Sequence, residues 1–163
     1  MNLIQRLPRY VWRVFHYPPR IAYALGLGPL LGRRVLLLTT RGRNTGKSRV
    51  TPLQYEEIDG CFYLAAARGE KTDWLRNLAV HPEVSIQVGS RRLAGKARIM
   101  RDPRAIADFL ELRLERHPLM ISTIMRSAGM PRRPTRTDLE AYAAGRPLVV
   151  IRPAAPAESG ERG

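Results

Sequence analysis

The sequence predicts a mainly β chain with flanking helices (α+β), built on a small antiparallel barrel or curved sheet. Three observations carry that prediction. Five or six short strand-like segments are recognisable, most are joined by hairpin turns, and only one long helix is evident. Strands and helices do not alternate regularly along the chain, which argues against a doubly wound parallel sheet. With 163 residues the chain is one domain of ordinary size and can bury a core without disulfide or metal staples.

The elements follow from local pattern. Residues 1–32 form a helical lead-in: Leu3, Leu7, Tyr10, Val11, Val14 and Phe15 recur at helical spacing, and Pro18–Pro19 ends that stretch. The barrel spans 33–152. Val35 to Thr40 is a short apolar run suited to a strand buried on both faces. A basic, Gly-containing loop, Arg41 to Ser48, leads to a strand over Arg49–Glu57 that turns at Asp59–Gly60 into Cys61–Ala67. Thr72 is a candidate N-cap for a short helix over Asp73–Val80, stopped at His81–Pro82. Val84–Val88 alternates, Gly89–Ser90 turns, and Arg91–Met100 returns. Asp102–Pro103 opens the long helix, whose apolar stripe is Ile106, Phe109, Leu110 and Leu114. Residues 117–145 are helical or irregular, Leu148–Arg152 is the last strand, and 153–163 is expected to be a disordered tail.

Composition removes several function classes. Cys61 is the single cysteine, so neither a disulfide framework nor a cysteine-based zinc site is available. His16, His81 and His117 never stand four apart, and no metal site is expected. The run Ile21–Leu31 is about half a membrane span and is interrupted by Gly26, Gly28 and Pro29. Arg33–Arg34 follow where a signal peptidase needs small residues, so a cytoplasmic location is expected. The net charge is +14, and 25 of the 28 cationic residues are arginine. Coding bias and a selected anion-binding patch both produce such an excess, so the position of the charges matters more than their number.

The loop Gly42-Arg43-Asn44-Thr45-Gly46-Lys47-Ser48 follows an apolar strand but is not a Walker A motif. Three residues, not four, separate Gly42 from Gly46-Lys47, and Val50-Thr51-Pro52 follows where a helix should begin. What remains is Arg41, Arg43, Lys47 and Arg49 within nine residues, interleaved with small polar residues. Glycines let backbone N–H groups approach an anion, and arginine forks paired phosphate or carboxylate oxygens. A solvated hairpin loop with ordinary charges has the same appearance. Downstream, Trp74 and Asn77 stand three apart on one helix face; Trp74 suits a core plug or a ligand wall, and Asn77 is not explained by helix propensity. Arg68–Gly69 adds a cation at a sharp turn.

Taken in order, Leu36-Leu37-Leu38-Thr39-Thr40-Arg41-Gly42-Arg43, Gly46-Lys47, Arg49, Pro52-Leu53, Arg68-Gly69, Trp74, Asn77-Leu78, Pro82 and Val84 resemble the deazaflavin (F420)-dependent nitroreductase family. The resemblance covers roughly residues 33–101. It implies a split β-barrel of the flavin-reductase or FMN-binding type, with coenzyme F420 passing a hydride to a small organic acceptor of quinone, nitro or enone type. By position it implies that Arg43, Asn44, Thr45, Gly46, Lys47 and Arg49 hold the cofactor's phosphate and polyglutamate tail. Pro52, Leu53, Ala65 and Ala67 would line the deazaflavin ring, with Arg68, Trp74 and Asn77 completing the pocket. Departures from the nitroreducing branch are Asn44 for a second basic residue, Ala67 for a serine and Gln54 for a tyrosine. A shorter loop precedes Trp74, and 104–130 lacks that branch's pocket tyrosines. These changes touch the acceptor side more than cofactor binding.

FMN, used by a sibling branch, is the alternative cofactor, and a non-catalytic binding or carrier module for F420, FMN or an acyl ligand is the alternative function. Nucleic-acid binding is not expected, because the aromatics are not interleaved with the basic loop. The lead-in helix, with Tyr10, Trp12, Phe15 and Tyr17 beside Arg6, Arg9 and Arg13, suits either an anionic membrane surface or packing over the barrel mouth. No residue stands out as a general acid: Tyr55 and Tyr63 read as strand packing, His81, before a proline in a turn, as a surface cap, and Cys61 as a small core residue. No feature of the sequence selects an oligomeric state.

Overall fold

The computed structural model describes residues 35–155. The lead-in helix, with its membrane or barrel-mouth role, therefore lies outside the described residues, as does most of the expected tail. The elements are β1 (Val35–Arg41), β2 (Ser48–Gln54), β3 (Glu56–Ile58), β4 (Cys61–Ala65), α1 (Asp73–Val80), β5 (Glu83–Val88), β6 (Arg91–Met100), α2 (Pro103–Arg116), α3 (Pro118–Ser127), α4 (Arg136–Ala143) and β7 (Leu148–Pro153). All seven strands join one antiparallel sheet in the order β2-β1-β5-β6-β7-β4-β3.

That order closes the sheet on itself. The expected strand 49–57 is two strands separated at Tyr55, and the two are opposite edges of the sheet. β2 pairs with β1 from Val35↔Gln54 to Arg41↔Ser48, whereas β3 pairs with β4 from Glu56↔Tyr63 to Ile58↔Cys61. One continuous segment thus serves both edges, which requires the sheet to curl into a barrel split along β2. Pro52 is tolerated because β2 is an edge strand, with only one side in the ladder.

The interior of the curl is filled by Leu36, Leu38, Phe62, Leu64, Val84, Ile86, Val149 and Ile151. α1 plugs one end with Trp74, Leu75 and Leu78. A second apolar layer lies outside the sheet, where α2, α3 and α4 bring Ile106, Phe109, Leu110, Ile121, Met125 and Leu139 onto Leu148, Tyr63 and Met100. Successive β7 residues point to opposite faces, so Val149 and Ile151 serve the first layer and Leu148 the second. β1 is buried at Leu36, Leu37 and Leu38, as its continuous apolar run predicts.

Helix starts are chemically defined. Asp102 Oδ1 accepts the Arg104 N–H at 3.0 Å and Pro103 occupies the first turn of α2. Residues 117–145 resolve into two helices. Pro118 opens α3 and holds His117 out of helical geometry, so the chain turns between α2 and α3. Thr135 and Asp138 form a reciprocal capping box on α4. Thr72 stands at the N-cap of α1 but makes no cap bond with its side chain; its hydroxyl donates instead to Gly69 O at 2.8 Å. β7 extends through Pro153, and the Ala154 N–H donates to Ala94 O at 2.8 Å, so the start of the expected tail belongs to the sheet.

Gly69 has φ +68°, and a Cβ there would sit 2.5 Å from Gly145 O, where the 66–71 segment crosses the loop between α4 and β7. Gly69→Ala therefore adds a backbone clash to the left-handed penalty and should cost about 2–5 kcal/mol. Gly46→Ala, also left-handed at φ +66° but with its nearest contact an ordinary 3.7 Å to Arg41, should cost about 1–2 kcal/mol. Urea midpoints of the two variants check the ranking; equal losses would remove the close approach as the cause.

Candidate functional site

The basic loop is a closed hairpin connection. Gly42 N–H donates to Lys47 O and Gly46 N–H to Gly42 O, both at 2.8 Å, and Thr45 Oγ1 accepts from Lys47 N–H at 3.3 Å. The left-handed backbone at Gly46 lets the chain reverse in that space.

Helix α1 clasps this loop through Asn77. Its amide is 5% exposed, and both ends are occupied. Oδ1 accepts from the Arg43 backbone N–H at 3.2 Å and from Arg43 Nη1 at 3.1 Å, while Nδ2 donates to the buried Thr40 Oγ1 at 3.3 Å. Arg43 Nη2 also meets Asp73 Oδ1 at 3.1 Å. An amide supplies a donor and an acceptor on two separate atoms of one short side chain, which accounts for asparagine inside a helix. Asn77 is thus a positioning group that ties β1, the loop and α1 together, and the Arg43 guanidinium is aimed by two α1 residues.

The expected residues meet along a groove on the open side of β2. At its loop end, Arg43, Asn44, Thr45, Arg49, Asp73 and Asn77 surround a cavity of about 550 Å³. This continues past Val50, Thr51 and Trp74 into a second of about 520 Å³, walled by Pro52, Leu53, Ala65, Ala67 and Arg68. Trp74 lines both and is 7% exposed, so it serves at once as core plug and groove wall. Two expected residues lie elsewhere. Gly46 borders a shallow depression with Thr39, Ser48 and Glu83, and Lys47, exposed on the hairpin, does not line the groove. The turn carrying Arg68 is braced by Glu70, whose carboxylate takes Arg101 Nε at 2.6 Å and Nη2 at 3.2 Å; the Arg101 hydrogen bonds hold the Glu70 carboxyl below its usual range.

Beyond Ala65–Ala67 the wall opens into a third, largely apolar cavity of about 150 Å³ beneath α2, α3 and α4. Its lining includes Gln54, Ile106, Phe109, Met125 and Leu148, with Arg113, Arg146 and Tyr142 as polar members. Arg113, 8% exposed, is the site residue that pattern reading misses. Its signal is positional: with Ile106, Phe109 and Leu110 it completes the i, i+3, i+4, i+7 stripe of α2, a place where an apolar residue such as Leu114 is sought. Glu56 explains the burial. Its carboxylate lies 3.5 Å from Arg113 Nε, 3.5 Å from Arg116 Nη1 and 2.7 Å from His117 Nε2. Burial lowers the Arg113 pKa, and the Glu56 charge opposes that shift. Tyr55 packs on Phe62 and Tyr63 stacks on Phe109, as strand tyrosines are expected to do.

Comparison with known proteins supplies the family. Residues 23–118 match the profile described as F420H(2)-dependent quinone reductase. A Mycobacterium tuberculosis protein provisionally named as such a reductase is 42% identical over 60 residues, 35% of this chain and 50% of the relative. A second Mycobacterium tuberculosis protein, named F420H(2)-dependent quinone reductase, is 33% identical over 66 residues, 39% of this chain and 44% of the relative. The chain spans about half the length of the curated relatives it matches. Among solved structures, one titled F420-H2 dependent reductase superposes with a TM-score of 0.51 at 22% identity, covering 74% of this chain and 95% of the other. A Listeria innocua structure provisionally titled pyridoxamine 5'-phosphate oxidase gives 0.51 at 11% identity, covering 83% of this chain and 94% of the other. These likenesses establish the split-barrel fold that the sequence implies.

The clasp generates a stability test. Asn77→Ala leaves the Thr40 hydroxyl and the Arg43 amide without their partner and should cost about 1–3 kcal/mol. Asn77→Asp keeps an acceptor for Arg43, and the Thr40 hydroxyl can rotate to donate, so its loss should be smaller. Chemical denaturation measures both; an Asn77→Ala variant as stable as the parent would show that the clasp holds nothing.

Proposed function

The chain belongs to the F420H(2)-dependent quinone reductase family, and from that premise we propose that it binds coenzyme F420 in the β2 groove and reduces a small flat acceptor of quinone, nitro or enone type. The observation that carries this reading is the polarity gradient of one continuous groove. Arg43 and Arg49 stand at one end, Trp74 in the middle, and Pro52, Leu53, Ala65 and Ala67 at the other. A ligand with an anionic tail and a flat heteroaromatic ring matches that gradient in order. The cationic loop carries more charge than a single phosphate needs, which favours F420 over FMN.

When bound, the reduced deazaflavin supplies the hydride. The chain supplies position and environment. Arg49 and Arg43 make charge-assisted contacts with anionic oxygens, Arg43 from an orientation preset by Asn77 and Asp73. Asp73 moderates the positive end, so the groove favours an extended polyanion over tight capture of one small anion. The apolar strip formed by β2 and the end of β4 excludes water from the ring and aligns it toward the third cavity.

Fluorescence titration with F420, and separately with FMN, tests the cofactor; tighter FMN binding would refute the assignment. Arg49→Ala should weaken F420 binding about ten- to a hundred-fold at low salt, with the loss shrinking as ionic strength rises. Trp74→Ala should give a loss nearly independent of salt, together with about 3–5 kcal/mol of fold stability. An Arg49→Ala variant that binds F420 like the parent would place the cofactor outside this groove.

A further inference from the structure

We propose that Arg113, on the wall of the third cavity, is the residue that holds the acceptor there by a ring oxygen, the contact strengthening as that oxygen gains negative charge. The inference rests on the reading of the groove as the cofactor site, because the two share the Ala65–Ala67 wall.

Three observations carry it. The cavity is apolar on most sides, lined by Ile106, Phe109, Leu110 and Leu148 among others, which suits an uncharged ring. Its buried polar member is a guanidinium: Arg113 is 8% exposed and lines the cavity, and its Nε, turned to Glu56 at 3.5 Å, makes no hydrogen bond, so that carboxylate does not take up the group's donors. Finally, the local charge does not balance. The single carboxylate of Glu56 faces the guanidinium groups of Arg113 and Arg116, and the cavity wall adds Arg146, whose Nη1 donates to Tyr142 O and whose guanidinium lies 4.2 Å from the Tyr142 ring. A cavity that is apolar but walled by guanidinium groups suits a neutral carbonyl compound that becomes an oxyanion on reduction.

The chemistry balances without a proton from Arg113. The acceptor gains a hydride, which is two electrons and one proton, while the cofactor is oxidised by two electrons. The charge left on the acceptor's oxygen is then relieved by a proton from water. Arg113 contributes a fixed cation, and Glu56 aims it. Gln54 and Ala67 leave this cavity without a tyrosine or serine hydroxyl at those places, so its strongest donors are the guanidinium groups of Arg113 and Arg146, and Arg146 already donates to Tyr142 O.

The test uses a matched pair of probes on the full chain without F420. 2-Hydroxy-3-methyl-1,4-naphthoquinone is an oxyanion at neutral pH and resembles the charged product; 2,3-dimethyl-1,4-naphthoquinone is its neutral counterpart. Calorimetry should show the parent binding the anion about tenfold more tightly. Arg113→Gln should remove that preference and leave affinity for the neutral probe within about threefold; Arg113→Lys should restore part of the preference. Should Arg113→Gln fail to fold, the parent's preference and the Arg113→Lys value decide. F420 affinity, read by fluorescence on the same proteins, should stay at the parent value. No anion preference in the parent, or a preference that survives Arg113→Gln, overturns the proposal even where F420 still binds. Anion preference in a parent that does not bind F420 strikes the groove reading and upholds Arg113 as a ligand anchor.

Discussion

Residues 48–58 pair with β1 at one end and with β4 at the other, and this double pairing bends the whole sheet. A flat seven-stranded sheet cannot have both of its edges in one short stretch of chain, so the curl is obligatory once both ladders form. The split runs along β2, whose outer side is free of ladder bonds, and the groove lies on that side. Pro52, awkward in most strands, is compatible with this edge and adds an apolar wall there. The position of the site is thus a consequence of how the barrel closes.

Charge and apolar surface are kept apart along the groove by elements of different origin. The cations come from a hairpin loop, which tolerates glycine and solvated arginine, whereas the apolar strip comes from strand ends fixed by ladder pairing. Asn77 joins the two regimes. It is buried with both ends of its amide hydrogen-bonded, so the loop is positioned by a helix anchored in the core through Trp74, Leu75 and Leu78. A loop held this way has less conformational entropy left to lose.

The opposite end obeys different electrostatics. Arg113, Arg116 and His117 gather on Glu56 where α2 passes into α3, and the buried guanidinium is bearable only because that carboxylate is near. The same arrangement leaves positive potential beside an apolar cavity. Two cationic regions of unlike character therefore flank one apolar wall: a solvated one on the hairpin loop and a buried one beside Glu56.

Much of this was legible in residue order, because it depends on neighbours along the chain. The apolar run of β1, the turns at Asp59–Gly60 and Gly89–Ser90, the Asp102–Pro103 helix start and the spaced anchors from Arg41 to Asn77 carry their own signals of burial, turn chemistry, capping and family. Other features depend on partners far apart in sequence. Nothing local to Tyr55 announces that the strand changes partners there, since that change is imposed by which edges remain to be paired. Asn77 stands out as an anomaly in the sequence, but its role requires Thr40 and Arg43 to arrive from another strand and loop. Arg113 falls on the apolar stripe of α2, and what permits its burial is visible only when Glu56, 57 positions away in the sequence, is brought beside it. Sequence by itself determined most of the strand segments and the cationic character of the basic loop, because propensity and charge are local. Tertiary structure alone decided where the barrel splits, which arginine is buried and where the groove ends, because those outcomes follow from the pairing of distant groups that no local pattern records.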